Sequence, residues 1–290
     1  MLSLHQLRIF LDVARMGSVR ETAKEAMVSQ PAVSAALSGL QRELGVALFE
    51  REGRGLRLTE AGREVEESGR RVLSLLEELR LRAVAAGAPE AGRLRLGVVT
   101  TAAEHIVPSL LSGFRKRYPR ANIDLEVANR ARIWERLAFG EIELAIGGRP
   151  PLDRAFRSIA TSPNELVVVA KPGSVPSAAA LTAATWLLRE LGSGTRIATE
   201  ETLEALDASP PRLTIGSNGA IRECVRAGLG VSLLTLDAVA RDVEDGTLAI
   251  VPTPFTPIVR PWHLVCRDDT EPSAIAARFI DYASGSSFTK

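Results

Sequence analysis

The sequence has few cysteines and no long apolar run. Its 290 residues include two cysteines, Cys224 and Cys266, which lack the CxxC spacing of a redox or zinc motif. No segment approaches the roughly 18 apolar residues that a membrane-spanning helix needs. Residues 1–17 are broken by polar and charged side chains and do not resemble a secretory signal. These absences favour a cytoplasmic protein without a metal site or membrane contact.

Catalytic signatures are also missing. The three histidines, His5, His105 and His263, are isolated from one another, and neither GxSxG nor HExxH occurs. The glycine-rich stretch at residues 192–196 is not a phosphate-binding P-loop, because no Gly-Lys-Ser/Thr follows it. We therefore expect no enzyme and no cofactor. The alternatives kept open are a small-molecule-binding α/β enzyme and a solute-binding protein.

Positive charge is scarce for a protein that binds nucleic acid. The formal net charge is +1. Residues 1–58 hold eight Lys/Arg and six Asp/Glu, a net of +2. If the chain binds DNA, the few cations must act by their placement, since bulk attraction is weak.

Residues 18–45 predict two short helices joined by a tight turn. Ser18 is placed to cap the first helix, with Glu21 at the capping-box spacing. Ser29 caps the second, which carries Pro31 in its first turn and ends at Gly45. The positions predicted to face inward are Ala23, Ala26, Val28, Val33, Ala36, Leu37, Leu40 and Leu44. The outward residues near the second helix start are small or carry an amide, so this helix can enter a groove.

A hairpin with three arginines follows the second helix. Residues 46–49 and 56–58 read as two short apolar pieces around a glycine-rich turn. Arg51, Arg54 and Arg57 lie close together in this hairpin, where guanidinium groups can clamp phosphate or reach into a minor groove. We interpret the hairpin as a wing beside the second helix.

These residues resemble the winged helix-turn-helix of LysR-type transcriptional regulators. The resemblance rests on the pieces SQPAVS, LQRELG, LFER and LTEAG, which occur in this order. It implies sequence-specific binding to double-stranded operator DNA, with Ser29, Gln30, Pro31 and Ser34 at the recognition surface and Arg51 and Arg54 at the phosphate backbone. Many relatives have Arg or Gln after the serine that matches Ser34, but this chain has Ala35 and Ala36. Base readout is therefore expected to depend on Gln30, which can pair with adenine.

A long helix is predicted from Thr59 onward. Val65, Val72 and Leu79 recur every seven residues along one side. A solvated connecting helix is one reading, but a lone helix would leave this apolar stripe in water, which favours pairing with a second copy of the chain. A glycine- and proline-containing linker follows at residues 85–92.

Short β-rich runs alternate with helical segments after Arg93. They lie at 94–99, 122–127, 142–147, 165–170, 185–190, 212–215, 231–235, 248–251 and 262–266. This alternation predicts open, mostly parallel sheets covered by helices.

The family resemblance supplies the domain plan. It implies an effector region of two Rossmann-like subdomains, similar to type II periplasmic binding proteins, with chain crossovers near 161–164 and 265–268. The predicted domains are 1–58 for DNA binding, 59–92 for the dimerisation helix and hinge, 93–162 plus 267–290 for subdomain I, and 163–266 for subdomain II. The family also implies a tetramer of two dimers, and RNA polymerase as a partner.

Small polar residues follow several predicted strands, where parallel sheets bind ligands. The predicted effector-binding residues are Thr100, Thr101, Asn129, Arg149, Ser193, Thr195, Arg196 and Asn218. Each one alone is also typical of a helix cap or turn. Together they predict a small anion in the cleft between the subdomains. Residues 132–151 and 186–196 further resemble regulators of carbon-fixation operons and of some sulfur-assimilation genes, which implies a phosphorylated metabolite or an inorganic sulfur oxyanion as effector.

Overall fold

The chain forms two compact units. The computed structural model describes residues 2–53, 55–87, 92–175 and 177–289. One unit comprises Met1–Val84 and Phe139–Glu141, and the other comprises Ala85–Ala138 and Ile142–Lys290. The predicted DNA-contacting Arg54, and residues 88–91 of the predicted linker, lie outside the described residues.

The first unit contains the predicted helix pair and wing. Its core is formed by fully buried side chains from the helices and from the segment before the wing, namely Phe10, Val13, Val33, Leu40 and Leu48. The elements are α1 Leu4–Met16, α2 Val19–Glu25, α3 Gln30–Leu44, β1 Phe49–Glu52 and β2 Gly55–Leu58, with β1 and β2 antiparallel.

The predicted caps of α2 and α3 are confirmed. The backbone N–H of Glu21 donates to Ser18 Oγ at 3.3 Å, and that of Ala32 donates to Ser29 Oγ at 3.3 Å. Gly45 ends α3 in the left-handed region at φ 71°, which favours a residue without a Cβ.

Some predicted inward positions are exposed. Ala26 and Val28 follow the end of α2 at Glu25, so they leave the helix face that carries the buried Ala23. Leu44 is exposed because it lies in the last turn of α3, beyond the part that packs on the core. The first wing strand begins later than predicted, at Phe49, and the second begins one residue earlier than predicted, at Gly55.

The predicted long helix is α4, Glu60–Gly87, which extends into the predicted linker. The N–H of Gly62 donates to Thr59 Oγ1 at 3.0 Å, so Thr59 caps the helix as predicted. Val65 packs on the first unit's core, whereas Val72, Leu75 and Leu79 are 41%, 58% and 64% exposed. Searching the described residues finds no helix with the length and apolarity to cross a bilayer.

The second unit contains two larger sheets and a separate pair of strands. The strands are β3 Arg93–Val99, β4 Asn122–Ala128, β5 Leu144–Gly147, β6 Phe156–Ser162, β7 Glu165–Ala170, β8 Trp186–Leu188, β9 Arg212–Thr214, β10 Ser232–Thr235, β11 Ala249–Ile250, β12 Ile258–Val259 and β13 Trp262–Arg267. The first sheet is mixed and has the order β4-β3-β5-β13-β6. The second is antiparallel, with β7 between β10 and β11 and also paired with β12, and β8 and β9 form the separate pair. The helices are α5 Thr100–His105, α6 Val107–Arg117, α7 Arg130–Ala138, α8 Gly194–Ala205, α9 Asn218–Arg226, α10 Leu236–Glu244 and α11 Ala274–Ser284, and Ala178–Thr182 forms a 3-10 helix.

The prediction of mostly parallel sheets is wrong. β3 pairs in parallel with β4 and β5, and β8 with β9, but β13 is antiparallel to both of its neighbours. β7 is antiparallel to β10, β11 and β12. β7 and β13 each enter their sheet directly from a strand of the other sheet, β7 from β6 and β13 from β12. They therefore lack the βαβ connection to a neighbour that makes strands parallel.

The strand pairing also moves one predicted domain boundary. β6 ends at Ser162 in the first sheet and β7 begins at Glu165 in the second, within the predicted crossover at 161–164. The predicted return at 265–268 is too late, because β13 already pairs with β5 and β6 from Trp262 onward. Residues 262–266 therefore belong to subdomain I and not to subdomain II.

Candidate functional site

The start of α3 forms an exposed surface of short side chains. Ser29, Gln30, Pro31 and Ser34 are all exposed, and so is Ala35. No long charged side chain stands among them, which leaves room for this end of the helix to approach a base-pair edge. The roles of these residues in DNA binding stay predictions.

The wing arginines differ in their surroundings. Arg57 lies opposite Glu50 in the hairpin register and pairs with it at 2.6 Å, and Glu52 lies 3.5 Å away. Arg51 is exposed on β1 and has no ion pair among the described residues. Arg51 therefore keeps its charge available for a phosphate, whereas that of Arg57 is partly neutralised.

A cavity of about 350 Å³ lies in the second unit, with walls from both subdomains. Of the predicted effector-binding residues, Thr100, Thr101, Asn129, Arg149, Ser193 and Thr195 line it. The structure thus brings together residues that are almost one hundred positions apart in the sequence. Their contact with an effector stays a prediction.

Two predicted residues are not in the cavity wall. Arg196 is turned away, since its guanidinium donates to Glu200 Oε1 at 2.8 Å and to the carbonyl of Arg189 at 2.9 Å. Asn218 lies behind the wall, where it contacts Thr101 and Arg189. The geometry therefore favours a structural role for Arg196 and an indirect one for Asn218.

Three other arginines line the cavity with Arg149, although none was among the predicted effector-binding residues: Arg130, Arg189 and Arg260. Arg130 opens α7 and donates to the carbonyl of Arg149 at 3.1 Å. Arg260 pairs with Glu201. For Arg130 and Arg149 no ion pair is found among the described residues. The cavity wall thus carries more positive than negative charge.

The positive charges perturb one another. Burial and the nearby charge of Arg260 lower the pKa of the Arg130 guanidinium. Burial and the charge of Arg149 lower the pKa of His263, whose Nδ1 lies 2.8 Å from Ser158 Oγ. An anion between these arginines would relieve the repulsion between them.

Arg189 is the most buried of the four arginines at 3% exposure. Its Nε and Nη2 donate to the two carboxylate oxygens of Glu190 at 2.8 and 3.0 Å. Burial alone would raise the pKa of Glu190, but these hydrogen bonds and the charge of Arg189 lower it. Arg189 directly follows the buried strand β8, and a charged residue at that position is the sequence feature from which it could have been predicted to line the cavity.

Helix ends supply uncharged donors to the same cavity. Ser193 is 4% exposed at the N-cap of α8, and its hydroxyl makes no capping bond. Gly194 and Thr195, in the first turn of α8, also line the cavity, so backbone N–H groups without helical partners lie nearby. Asn129, in contrast, caps α7 by accepting from the N–H of Arg132 at 3.1 Å, as the helix-cap reading of such residues predicts.

The two chain crossovers form one edge of the cavity. Arg260 N–H donates to the carbonyl of Asn164 at 2.9 Å, and Asn164 Nδ2 donates to the carbonyl of Arg260 at 2.7 Å. Both residues line the cavity, as does Trp262. A ligand there would contact the segments that join the subdomains. The described part of the chain contains no cluster of three or more His, Cys, Asp or Glu that could hold a metal ion.

Family models match most of the chain. Residues 4–63 match the bacterial regulatory helix-turn-helix protein, lysR family, and residues 87–286 match the LysR substrate binding domain. The HTH-type transcriptional activator CmpR of Synechocystis sp. is 35% identical over 290 residues, covering 97% of this chain and 94% of CmpR. Other relatives are named as transcriptional regulators of the RuBisCO operon.

Solved structures extend the comparison. The regulatory domain of Synechocystis CcmR in complex with 2-PG is 31% identical and has a TM-score of 0.63, covering 67% of this chain and 97% of that one. The LysR family regulator CbnR has the same fold over 99% of both chains, with a TM-score of 0.72 and 24% identity.

Proposed function

Because the chain belongs to the LysR family of transcriptional regulators, we propose that it binds operator DNA through α3 and the wing, and that the cavity binds a small anion that modulates this binding. The chain is a sequence-specific, DNA-binding transcriptional regulator with an effector-binding domain. The residues that contact DNA, the class of effector and the assembly are the proposed parts.

One observation supports the proposal that the cavity binds an anion. Arg130 and Arg149 line the cavity, and neither has an ion pair among the described residues. Arg130 is half-buried and is repelled by Arg260, and Arg149 is exposed beside it, so an anion bound between them would be stabilised by both charges. Guanidinium forks suit phosphate, sulfate and carboxylate oxygens, and the hydroxyls of Ser193 and Thr195 add donors.

One solved relative supports a small anion as the effector. CcmR, whose regulatory domain resembles this one, has been solved with 2-PG, and the cavity volume suits a ligand of that size. That the effector of this chain is a similar anion is a proposal, and sulfate is a simple second anion with which to test it.

The proposed assembly is a dimer through α4. Its exposed Val72, Leu75 and Leu79 form an apolar stripe that a second copy of the helix would cover. A pair of such dimers, RNA polymerase as a further partner and a cytoplasmic location follow from the family resemblance. The relatives are named as regulators, which supports the proposal that the chain is not an enzyme.

Calorimetry on the full-length protein tests the anion. We expect 2-PG or sulfate to bind wild-type protein and to bind an Arg149→Ala variant at least about tenfold more weakly, since a charge-assisted contact is lost. Glycerol, which is neutral, should not bind. Binding of glycerol without binding of either anion would show that the cavity does not select for negative charge.

A further inference from the structure

We propose that Asn218 is a positioning residue that makes the Thr101 hydroxyl a hydrogen-bond donor to the bound effector. The proposal rests on the proposed anion site and goes further, because it states which kind of ligand atom lies beside Thr101. Arg189, Asn218 and Thr101 form the chain of contacts that carries it.

All three side chains are more than nine-tenths buried. Arg189 Nη1 donates to Asn218 Oδ1 at 2.7 Å, and Asn218 Nδ2 donates to Thr101 Oγ1 at 2.9 Å. Their exposures are 3%, 5% and 8%. Arg189 and Thr101 line the cavity, and Asn218 lies between them.

The orientation of the Asn218 amide follows from its neighbour. A guanidinium has only donors, so the amide must present its oxygen to Arg189 and its NH2 group to the other side. Arg189 is itself fixed by both carboxylate oxygens of Glu190. A flipped amide would put two donors face to face, which excludes that arrangement.

The direction of the next bond is fixed in turn. Because the Asn218 NH2 group can only donate, the Thr101 oxygen accepts, and the Thr101 proton remains available. Within the described chain Thr101 has no acceptor for this proton, whereas neighbouring Thr100 donates to the carbonyl of Ala128 at 3.4 Å. The Thr101 proton is therefore left for an acceptor in the cavity.

This polarity selects for ligand oxygens that only accept hydrogen bonds. A phosphate, sulfate or carboxylate oxygen satisfies the Thr101 proton. A ligand N–H at the same place meets a second donor, and a buried donor without an acceptor is costly. The bond from Asn218 to Thr101 also joins subdomain II to subdomain I, so the preference is set where the two subdomains meet.

An Asn218→Asp variant reverses the polarity. The carboxylate keeps an acceptor for Arg189, but its second oxygen takes the Thr101 proton, so the ligand loses its donor. We expect calorimetry with 2-PG or sulfate to show an affinity loss of about 10- to 100-fold for the full-length variant, the range for a lost hydrogen bond to a charged group. Thr101→Val should show a similar loss, and Thr101→Ser should retain wild-type affinity within threefold.

The double variant separates polarity from added charge. If Asn218 acts through Thr101, then Asn218→Asp with Thr101→Val loses no more affinity than the weaker-binding single variant. Repulsion between the new carboxylate and the anion would instead add to the loss from Thr101→Val. Ser217→Ala, which changes a neighbouring exposed helix cap, is the matched control and should bind normally.

The outcomes are distinct. Operator binding without ligand verifies that each variant is folded. Normal anion affinity of Asn218→Asp, or additive losses in the double variant, overturns the positioning role while the anion site stands. Failure of the wild-type protein to bind 2-PG and sulfate overturns the anion site, and the positioning role with it.

Discussion

The exposed first turn of α3 and the cavity of the second unit are built in opposite ways. The α3 surface comes from one stretch, residues 29–35, whose side chains are uncharged and, apart from the buried Val33, exposed. The cavity comes from segments between Val99 and Trp262, and its wall carries four arginines, one of them fully buried. The first surface is a local property of one helix, whereas the second exists only after two sheets have formed.

This difference decides what each surface can recognise. A helix start without charge can discriminate by short hydrogen bonds and apolar contacts to base edges, and in the proposed function the affinity comes from the wing and from a second copy of the chain. A cavity with unpaired guanidinium groups discriminates first by charge and then by hydroxyl geometry. Each of the following predictions changes one side of this comparison.

The largest effect is expected from the apolar stripe of α4, the proposed dimer seam. Replacing Val72 and Leu79 by Glu puts four carboxylates into the seam of a dimer, so dimers should dissociate. Operator affinity should then fall by about 100-fold or more, because the two half-sites are no longer bound by one molecule. Light scattering and mobility-shift assays measure both effects.

A control variant places two glutamates elsewhere on the helix, with a larger change in net charge. Arg71→Glu with Arg80→Glu adds two glutamates at exposed polar positions of α4 and should leave the dimer intact. If the Val72 and Leu79 variant kept the oligomer of the wild-type protein, the chain would assemble through another surface.

The next effect concerns base readout by α3. Gln30→Ala should lose about 1–3 kcal/mol of discrimination at particular base pairs. Arg51→Ala should weaken binding to operator and random DNA alike and flatten the salt dependence. Arg57→Ala should have the smaller effect of the two wing variants, because Glu50 already neutralises Arg57. Equal losses on operator and random DNA for Gln30→Ala would refute its role in readout.

For the cavity, variants of Arg130 and Arg196 allow a direct comparison of an arginine in the wall with one outside it. Arg130→Ala should lower the affinity for 2-PG or sulfate by about tenfold or more, because a charge-assisted contact is lost. Arg196→Ala removes a guanidinium already held by Glu200, so anion affinity should change by less than threefold. Titration calorimetry measures both, and the reverse ranking would contradict the geometry of the cavity.

The smallest effect involves His263. Its pKa is lowered by burial and by the charge of Arg149, so the ring loses its proton at a lower pH than an ordinary histidine. A bound anion neutralises Arg149 and should raise this pKa, so binding near pH 6 takes up a fraction of a proton. Calorimetry in buffers of different ionisation enthalpy should show this uptake in the wild-type protein and less of it in His263→Gln. Equal uptake in both would assign the proton to another group.

The sequence predicted the first unit well for a physical reason. Ser18, Ser29, Thr59 and Gly45 act on groups only a few residues away, so their caps can be identified from spacing alone. The prediction that Leu44 is buried was wrong, because the exposure of a residue at a helix end depends on how far the core extends along the helix. Each predicted β-rich run contains a strand, but β6 and β12 were not predicted. The antiparallel position of β13 depends on distant strands, and for this reason the predicted subdomain boundary was wrong.

The cavity could be predicted only in part. The hydroxyl residues predicted at the ends of strands do line the cavity, because the ends of these strands lie on the same side of the sheets. The sequence analysis missed Arg189 and Arg260. Arg189 is positioned by Glu190, and Arg260 by its hydrogen bonds to Asn164 at the crossover, and residue spacing does not predict these contacts. Arg196 was predicted as a ligand cation, but Glu200 one turn later binds its side chain.

Reciprocal linkage between the two surfaces tests the account most directly. Operator affinity of the full-length protein is measured with and without saturating 2-PG or sulfate, and anion affinity is measured with and without operator. We predict that both affinities change by the same factor, a coupling of about 1–3 kcal/mol, and that Arg130→Ala needs a higher anion concentration for the same change. An anion that binds wild-type protein but leaves operator affinity and footprint unchanged, or one that acts equally on Arg130→Ala at the same concentration, would contradict the account.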